Sequence, residues 1–412
     1  MSSSQQDNTS VSSSPASAPA TSSIVALVLA LVLVACNLRP ALLSLGPVLD
    51  SVQDSLHLNA SASGFLIMLP ILCFSAFAPL VPSLLRRWPA EQLILLCLII
   101  LAFGIGLRSL FGITGMFAGT LFIGASISIV MVLLPSIIKH RFPTQAGMMM
   151  GVYSTALCLG AAIAAGSTVP IQGIPGSNWQ WALAVWLVPA LIAAAVWRPY
   201  VPSGQDRQIR ARTSPPRLRA NRLAWQVTLF MGTQSAVAYC VFGWLPLILI
   251  DRGMTRVAAG LALSVVMVLQ IVGSLAGPWF ATHGKDQRAS IAVLLAGMLV
   301  GVLGAIYAPL NQIWLWTTIL GIGMGGTFSV ALALLVLRSP NSQVAAALSG
   351  MAQGVGYVVS ATGPFVVGLL HQLTGNWHAV AVFISVMLVI SWYFGMGAGR
   401  SVYIEVEARP AS

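Results

Sequence analysis

In a chain of 412 residues, 57% are hydrophobic and only 7% charged, with a mean hydropathy of +0.88, whereas charged residues make up about 25% of ordinary soluble domains. An ordinary soluble domain is therefore excluded. The net charge of +11 would suggest a nucleic-acid partner in a soluble protein, but the basic residues lie almost wholly between apolar runs, so they read as a topology signal and no nucleic acid is expected.

Residues 1–23 are rich in Ser, Ala and Pro with one charge, Asp7, too polar to bury a core, and are expected to form a disordered tail. The first apolar run, 24–49, has no basic segment before it and no small-residue cleavage site after it, so it reads as a retained helix. Further runs follow at 62–84, 92–110, 113–138, 146–170 and 179–197. After a basic, Pro-containing segment they resume at 224–250, 257–281, 289–308, 313–337, 343–370 and 377–399. Each is long enough to cross a hydrocarbon layer about 30 Å thick as a helix. The expected fold class is an all-α membrane protein of twelve transmembrane helices in two parallel six-helix halves. The halves would span 24–198 and 224–399, joined by a cytoplasmic linker at 199–223 and followed by a tail at 400–412.

Arg86, Arg87, Lys139, Arg141, the linker arginines from Arg198 to Arg222, Lys285, Arg288, Arg338, Arg400 and Arg409 fall on one side of this topology, against Arg252 and Arg256 on the other. By the positive-inside rule that places both termini in the cytoplasm of a cell with an inner membrane. Cys36, Cys73, Cys97, Cys158 and Cys240 sit inside apolar runs with no CxxC spacing and no histidine cluster. They read as packing residues, and neither a metal site nor a cofactor is expected.

The halves match at an offset of about 199 residues, the mark of an internal duplication with parallel repeats. Pro47 corresponds to Pro246, Gly151 to Gly350, and Asn178-Trp179, one residue off, to Asn376-Trp377. Two parallel six-helix halves joined by a long basic loop resemble the major facilitator superfamily over nearly all of the chain after residue 23. Asn37-Leu38-Arg39-Pro40, Ile105 to Ser109, Gly243-Trp244-Leu245-Pro246, Lys285-Asp286-Gln287-Arg288 and the run from Ala347 to Tyr357 resemble the cyanate and 2-nitroimidazole transporter family in particular. That resemblance implies a secondary transporter of a small molecule, working by alternating access. It spans an anion and neutral nitroaromatics. In the loop after the second run, Pro82 to Arg87 stands where the superfamily usually has Gly-x-x-x-Asp-Arg. The missing acid puts the usual inner-gate latch in doubt, with the loop 285–288 as the candidate charged contact in the other half.

Arg39 lies about 15 residues into the first run, roughly 22 Å along a helix, too deep for an easy reach to the surface. A lone guanidinium at that depth is costly unless paired. The acids Asp7, Asp50, Asp54, Glu91, Asp206, Asp251, Asp286, Glu405 and Glu407 all sit in tails, loops or run ends. The missing partner is then an anionic substrate, or a substrate's partial negative charge, entering a water-filled cavity. The alternative is satisfaction by backbone carbonyls and water, or by Asp50 if Pro40 and Gly46-Pro47 fold the helix back. Arg108, near a run end, either snorkels to the interface or faces a cavity. Tyr153, Gln234, Tyr239, Trp244, Gln353 and Tyr357 are the other candidate substrate-binding residues, because polar groups on membrane helices need a cavity or a polar neighbour. Ser154 and Ser235 are expected to pack instead. Gly321, Gly323, Gly325 and Gly326 have a phosphate-loop spacing but follow no strand, so close helix packing is the expectation. With no Ser/His, paired-carboxylate or metal constellation in the runs, an enzyme is not expected. The expected partners are a small-molecule substrate and the lipid bilayer, with the protein a monomer carrying a small, anionic solute. The alternative is an exporter of neutral nitroimidazole-like or other small drug molecules.

Overall fold

A peptide group in hydrocarbon has no water to bond, so a chain this apolar must satisfy its backbone within helices. The computed structural model describes residues 21–58, 60–202, 218–282 and 286–405. Most of the expected tails, the middle of the linker and Lys285 lie outside the described residues. Among the described residues, twelve spans are long and apolar enough to cross a membrane: α1 Ile24–Val48, α2 Phe65–Leu84, α3 Ala90–Leu110, α4 Gly112–Arg141, α5 Ala146–Gln172, α6 Trp179–Tyr200, α7 Arg222–Asp251, α8 Val257–Gly277, α9 Arg288–Tyr307, α10 Leu310–Leu337, α11 Ser342–Thr374 and α12 His378–Ala398. Polar caps set several starts. The side-chain oxygens of Asn178, Asn221 and Asn341 accept from the amides of Trp181, Ala224 and Val344 at 3.0–3.1 Å, each satisfying one of the orphan donors at a helix N-terminus.

The two halves pack alike. α1 lies on α5 and α6 as α7 lies on α11 and α12; α2 lies on α4 as α8 on α10; α3 contacts α4 and α6 as α9 contacts α10 and α12. Small residues permit this. A Cβ at Gly321 would sit 2.7 Å from the Val266 carbonyl oxygen, and one at Gly325 would collide with the backbone of Gln270. The glycine-rich stretch of α10 is therefore a surface for close approach to α8. Large apolar side chains such as Phe103, Val293, Phe365 and Val382 are left exposed on the outside, where lipid would cover them.

The duplication is imperfect in three spans of the first half: α2 is interrupted at Ala78–Leu80 and α6 after Ala184, where α8 and α12 run on, and the break that bears on the cavity is in α1. α7 runs as a continuous helix through Pro246, but α1 is interrupted. A helix over Thr21–Leu38 stops, Arg39 occupies the turn, and Pro40–Leu43 and the 3-10 turn Gly46–Val48 complete the span. Two prolines with a glycine between them account for the difference, since each proline removes a donor and clashes with the carbonyl four residues earlier. Pro40 leaves the Cys36 carbonyl without its usual partner, and that carbonyl packs against Gly160 of α5 so closely that no Cβ fits.

The halves meet on the side that carries both ends of the described chain. Ser136 Oγ donates to the Ser342 carbonyl at 2.8 Å and Gln353 Nε2 to the Met131 carbonyl at 2.9 Å. Ser154 Oγ donates to Ser329 Oγ at 2.8 Å, and Thr155 and Ser274 hydroxyls lie 3.1 Å apart. Gly350 and Gly354 of α11 lie against the Ala78 carbonyl and Pro79 at the end of α2. Each of these contacts is uncharged. Among the described residues one charged group of this side reaches across, Lys139 of α4 lying 5.9 Å from the centre of the exposed Tyr403 ring; the others named here serve within a half. Asp286 pairs with Arg288 of its own loop at 3.5 Å, and Arg141 with Glu91 at 3.3 Å. Arg338 donates to the Ala398 carbonyl at 2.8 Å and to Gln287. Burial lowers its pKa to about 10, so it remains charged at neutral pH.

Gly325→Val should force α10 away from α8. Overpacking of this kind costs about 1–3 kcal/mol, and the expected outcome is a lower thermal unfolding temperature of the purified protein. An unchanged temperature would mean that the two helices can separate freely.

Candidate substrate cavity

The inter-half hydrogen bonds and glycine contacts named above lie toward one side, and a space remains between the halves at mid-depth and toward the other side. It is a cavity of about 320 Å³ whose lining comes from both halves. From α1 it takes Arg39 and the interrupted stretch up to Gly46, from α2 Pro70 and Phe74, and from α5 Cys158. The second half contributes Gln234, Ser235, Tyr239, Gln270, Phe328 and Tyr357, among others. The surface is mostly apolar and aromatic. Phe74 and Tyr357 rings lie 5.0 Å apart, and Tyr239 meets Phe242 edge-on at 6.3 Å.

Arg39 sits at the turn where α1 breaks, so its own backbone is placed by Pro40 rather than by regular helix. Its guanidinium carbon lies 5.6 Å from the centre of the Phe328 ring, within range of a cation–π contact, and Tyr239, Tyr357, Cys158 and Tyr153 are near it. Among the described residues no carboxylate and no hydrogen-bond acceptor meets it. The Asp50 side chain lies outside the described residues.

Arg108 behaves differently. It is only 1% exposed, so it does not snorkel. Nη1 donates to the Ala41 carbonyl at 2.6 Å and Nη2 reaches Ser44 Oγ at 3.5 Å. Both acceptors belong to the interrupted part of α1, whose irregular backbone leaves carbonyls that a regular helix would satisfy. Arg108 touches the cavity, but its bonds tie α3 to the broken span.

The other expected site residues divide. Gln234, Tyr239 and Tyr357 line the cavity, with Gln234 Nε2 bonded to Ser235 Oγ at 2.7 Å. Ser235, expected to pack, lines it as well. Tyr153, Trp244 and Gln353 lie outside its lining. Tyr153 is buried with its hydroxyl unpaired, Trp244 Nε1 donates to the Pro364 carbonyl at 3.1 Å, and Gln353 bridges the halves as described above. Sequence reasoning missed Gln270 and Phe328. Gln270 carried the same signal as Gln234, a lone amide on an apolar helix. Phe328 carried none, because an aromatic residue in an apolar run looks like core.

The profile of the Major Facilitator Superfamily matches residues 23–320. The chain belongs to that superfamily. It is accordingly a multi-pass membrane transporter and not an enzyme. The uncharacterized transporter YycB of Bacillus subtilis is 37% identical over 90% of this chain and 92% of its own length. The 2-nitroimidazole transporter of Escherichia coli is 35% identical over 89% of this chain and 94% of its own. The cyanate transport protein CynX of the same organism is 28% identical over 84% and 90%. Among solved structures, the proton:xylose symporter XylE superposes with a TM-score of 0.73 at 15% identity, over 91% of this chain and 95% of that one. FucP in its outward conformation superposes with a TM-score of 0.71 at 14% identity, over 92% and 99%. At those identities the structures speak for the fold alone.

Two variants separate the arginines of this transporter. Arg108→Met leaves a buried carbonyl unpaired, which costs about 1–3 kcal/mol, and should lower the unfolding temperature in detergent. Arg39→Gln removes an unpaired charge and should leave that temperature unchanged or raise it. Equal destabilisation by both would assign Arg39 to the scaffold.

Proposed function

We propose that this transporter carries a small, planar organic anion across the inner membrane by alternating access, with Arg39 as the electrostatic anchor. The observation that carries the reading is the Arg39 guanidinium in the central cavity, without an acidic partner among the described residues. An anion entering the cavity supplies the missing countercharge, and the aromatic rings around it offer flat apolar contact. A volume of about 320 Å³ lies near the lower end of small-molecule sites, roughly 300–1,000 Å³. A benzoate-sized ring suits it, whereas a three-atom cyanate would leave most of it to water. Relatives point the same way. A putative anionic 4-hydroxy-benzoate permease of Thauera aromatica is 37% identical over 126 residues, and the cyanate protein also concerns an anion.

Gln234, Ser235, Gln270, Tyr239 and Tyr357 would orient the bound molecule through hydrogen bonds. The basic loops support a cytoplasmic position for both termini. The uncharged closure is then the inner gate and the cavity faces outward, and one chain encloses the whole site, as a monomer would. The second reading is export of a neutral nitroaromatic, favoured by the 35% identity to the 2-nitroimidazole transporter. In that case Arg39 only donates hydrogen bonds to a nitro group.

A charge series at one position decides between them. For an anion, Arg39→Lys keeps the charge but loses the planar fork and should lower uptake of benzoate or cyanate into proteoliposomes partly, while Arg39→Gln should abolish it. For a neutral nitroimidazole, Arg39→Gln should keep substantial binding. Normal anion uptake by a well-folded Gln variant would make Arg39 a structural residue and end the anion reading.

A further inference from the structure

We infer that the transporter is an obligatory exchanger, one that crosses with an anion bound in each direction and hardly at all when empty. The inference rests on the anion reading above and concerns what the empty carrier can do.

Among the described residues the ionisable groups lining the cavity are Arg39, Arg108, Cys158, Tyr239 and Tyr357. Arg108 keeps its charge but is held in every state by the Ala41 carbonyl and Ser44 of α1, with only its Nε unpaired, so its surroundings do not depend on substrate. Arg39 has no such bonds, and a guanidinium does not give up its proton near neutral pH. While the cavity is open on one side, water entering it can solvate Arg39. To turn over, the open side must close, bringing Phe74, Tyr239, Phe328 and Tyr357 around the guanidinium and expelling that water. Phe328 already lies against it. The lining then offers the charge rings, hydroxyls and amides but no carboxylate, and an unpaired charge in such surroundings is strongly disfavoured. With an anion bound the pair is close to neutral and closure meets no such barrier. The loaded carrier therefore reorients and the empty one waits.

The closed gate does not offset this. Among the described residues its buried contacts, from Ser136 to Ser342, from Gln353 to Met131 and along Gly350 and Gly354, carry no charge, and Lys139, which lies over the exposed Tyr403 ring, stays within reach of water, so opening the gate strands no buried ion in either the empty or the loaded carrier. The difference between the two resides at Arg39. One-for-one exchange of equal charges also moves no net charge, so neither a pH gradient nor a membrane potential should drive it.

The test uses the full chain in proteoliposomes with labelled benzoate outside. The vesicles hold unlabelled benzoate, chloride, or gluconate, the last being bulky and polyhydroxylated and a poor fit to an aromatic cavity. Binding of benzoate to the purified protein is followed in parallel by thermal shift. Uptake should be about tenfold or more faster into benzoate-loaded than into gluconate-loaded vesicles, and insensitive to an imposed potassium-diffusion potential. Fast uptake against chloride but not gluconate supports exchange with the inorganic ion as counter-substrate. Equal uptake into all three, with benzoate bound, overturns the exchange inference and leaves the anion reading intact. Neither binding nor uptake overturns the anion reading and this inference with it.

Discussion

The guanidinium of Arg39, with no acidic partner among the described residues, is the constraint around which the rest of the molecule makes sense. A cation in hydrocarbon must be hydrated, paired or excluded, and here the cavity supplies room for the first two. Its placement depends on the break in α1, where Pro40 ends the regular helix and sets Arg39 in the turn. The break exposes backbone carbonyls, and Arg108 from α3 bonds one of them. One arginine is thereby fixed as scaffold so that the other can remain available.

The duplication shows the same economy. Helix contacts repeat between the halves, yet only the first half carries the broken helix and the central cation, while α7 passes through Pro246 without interruption. The second half contributes aromatic and amide groups to the same cavity. A charged group from one half and a polar, apolar wall from the other make a cavity that exists only between them, as the proposed alternating access would require. Closure by glycine-to-backbone contact and single uncharged hydrogen bonds suits a gate that must open repeatedly, because such contacts are individually weak, about 0.6 kcal/mol for a hydrogen bond between membrane helices.

Much of the fold was legible because the bilayer restricts the options. Twelve apolar runs, the matching of Pro47 with Pro246 and Gly151 with Gly350, and the placement of basic residues left one architecture. Arg39 stood out for the same reason, as a charge where charge is expensive. Tyr153, Trp244 and Gln353 were harder to place because polarity on a membrane helix says only that a partner exists. For Gln353 and Trp244 the partner is a backbone carbonyl, and carbonyls leave no trace in sequence. Phe328 was invisible since its role comes from the guanidinium opposite. The structural part played by Arg108 required knowing that α1 is interrupted next to α3.

The central claim is that Arg39 recognises negative charge, and comparing benzoate with benzamide in binding to the wild-type protein tests it most directly. The two share ring, size and planarity and differ in charge. A charge-assisted hydrogen bond contributes about 1.5–3 kcal/mol, so benzoate should bind roughly ten- to a hundredfold more tightly. Equal affinity for the two would contradict the account.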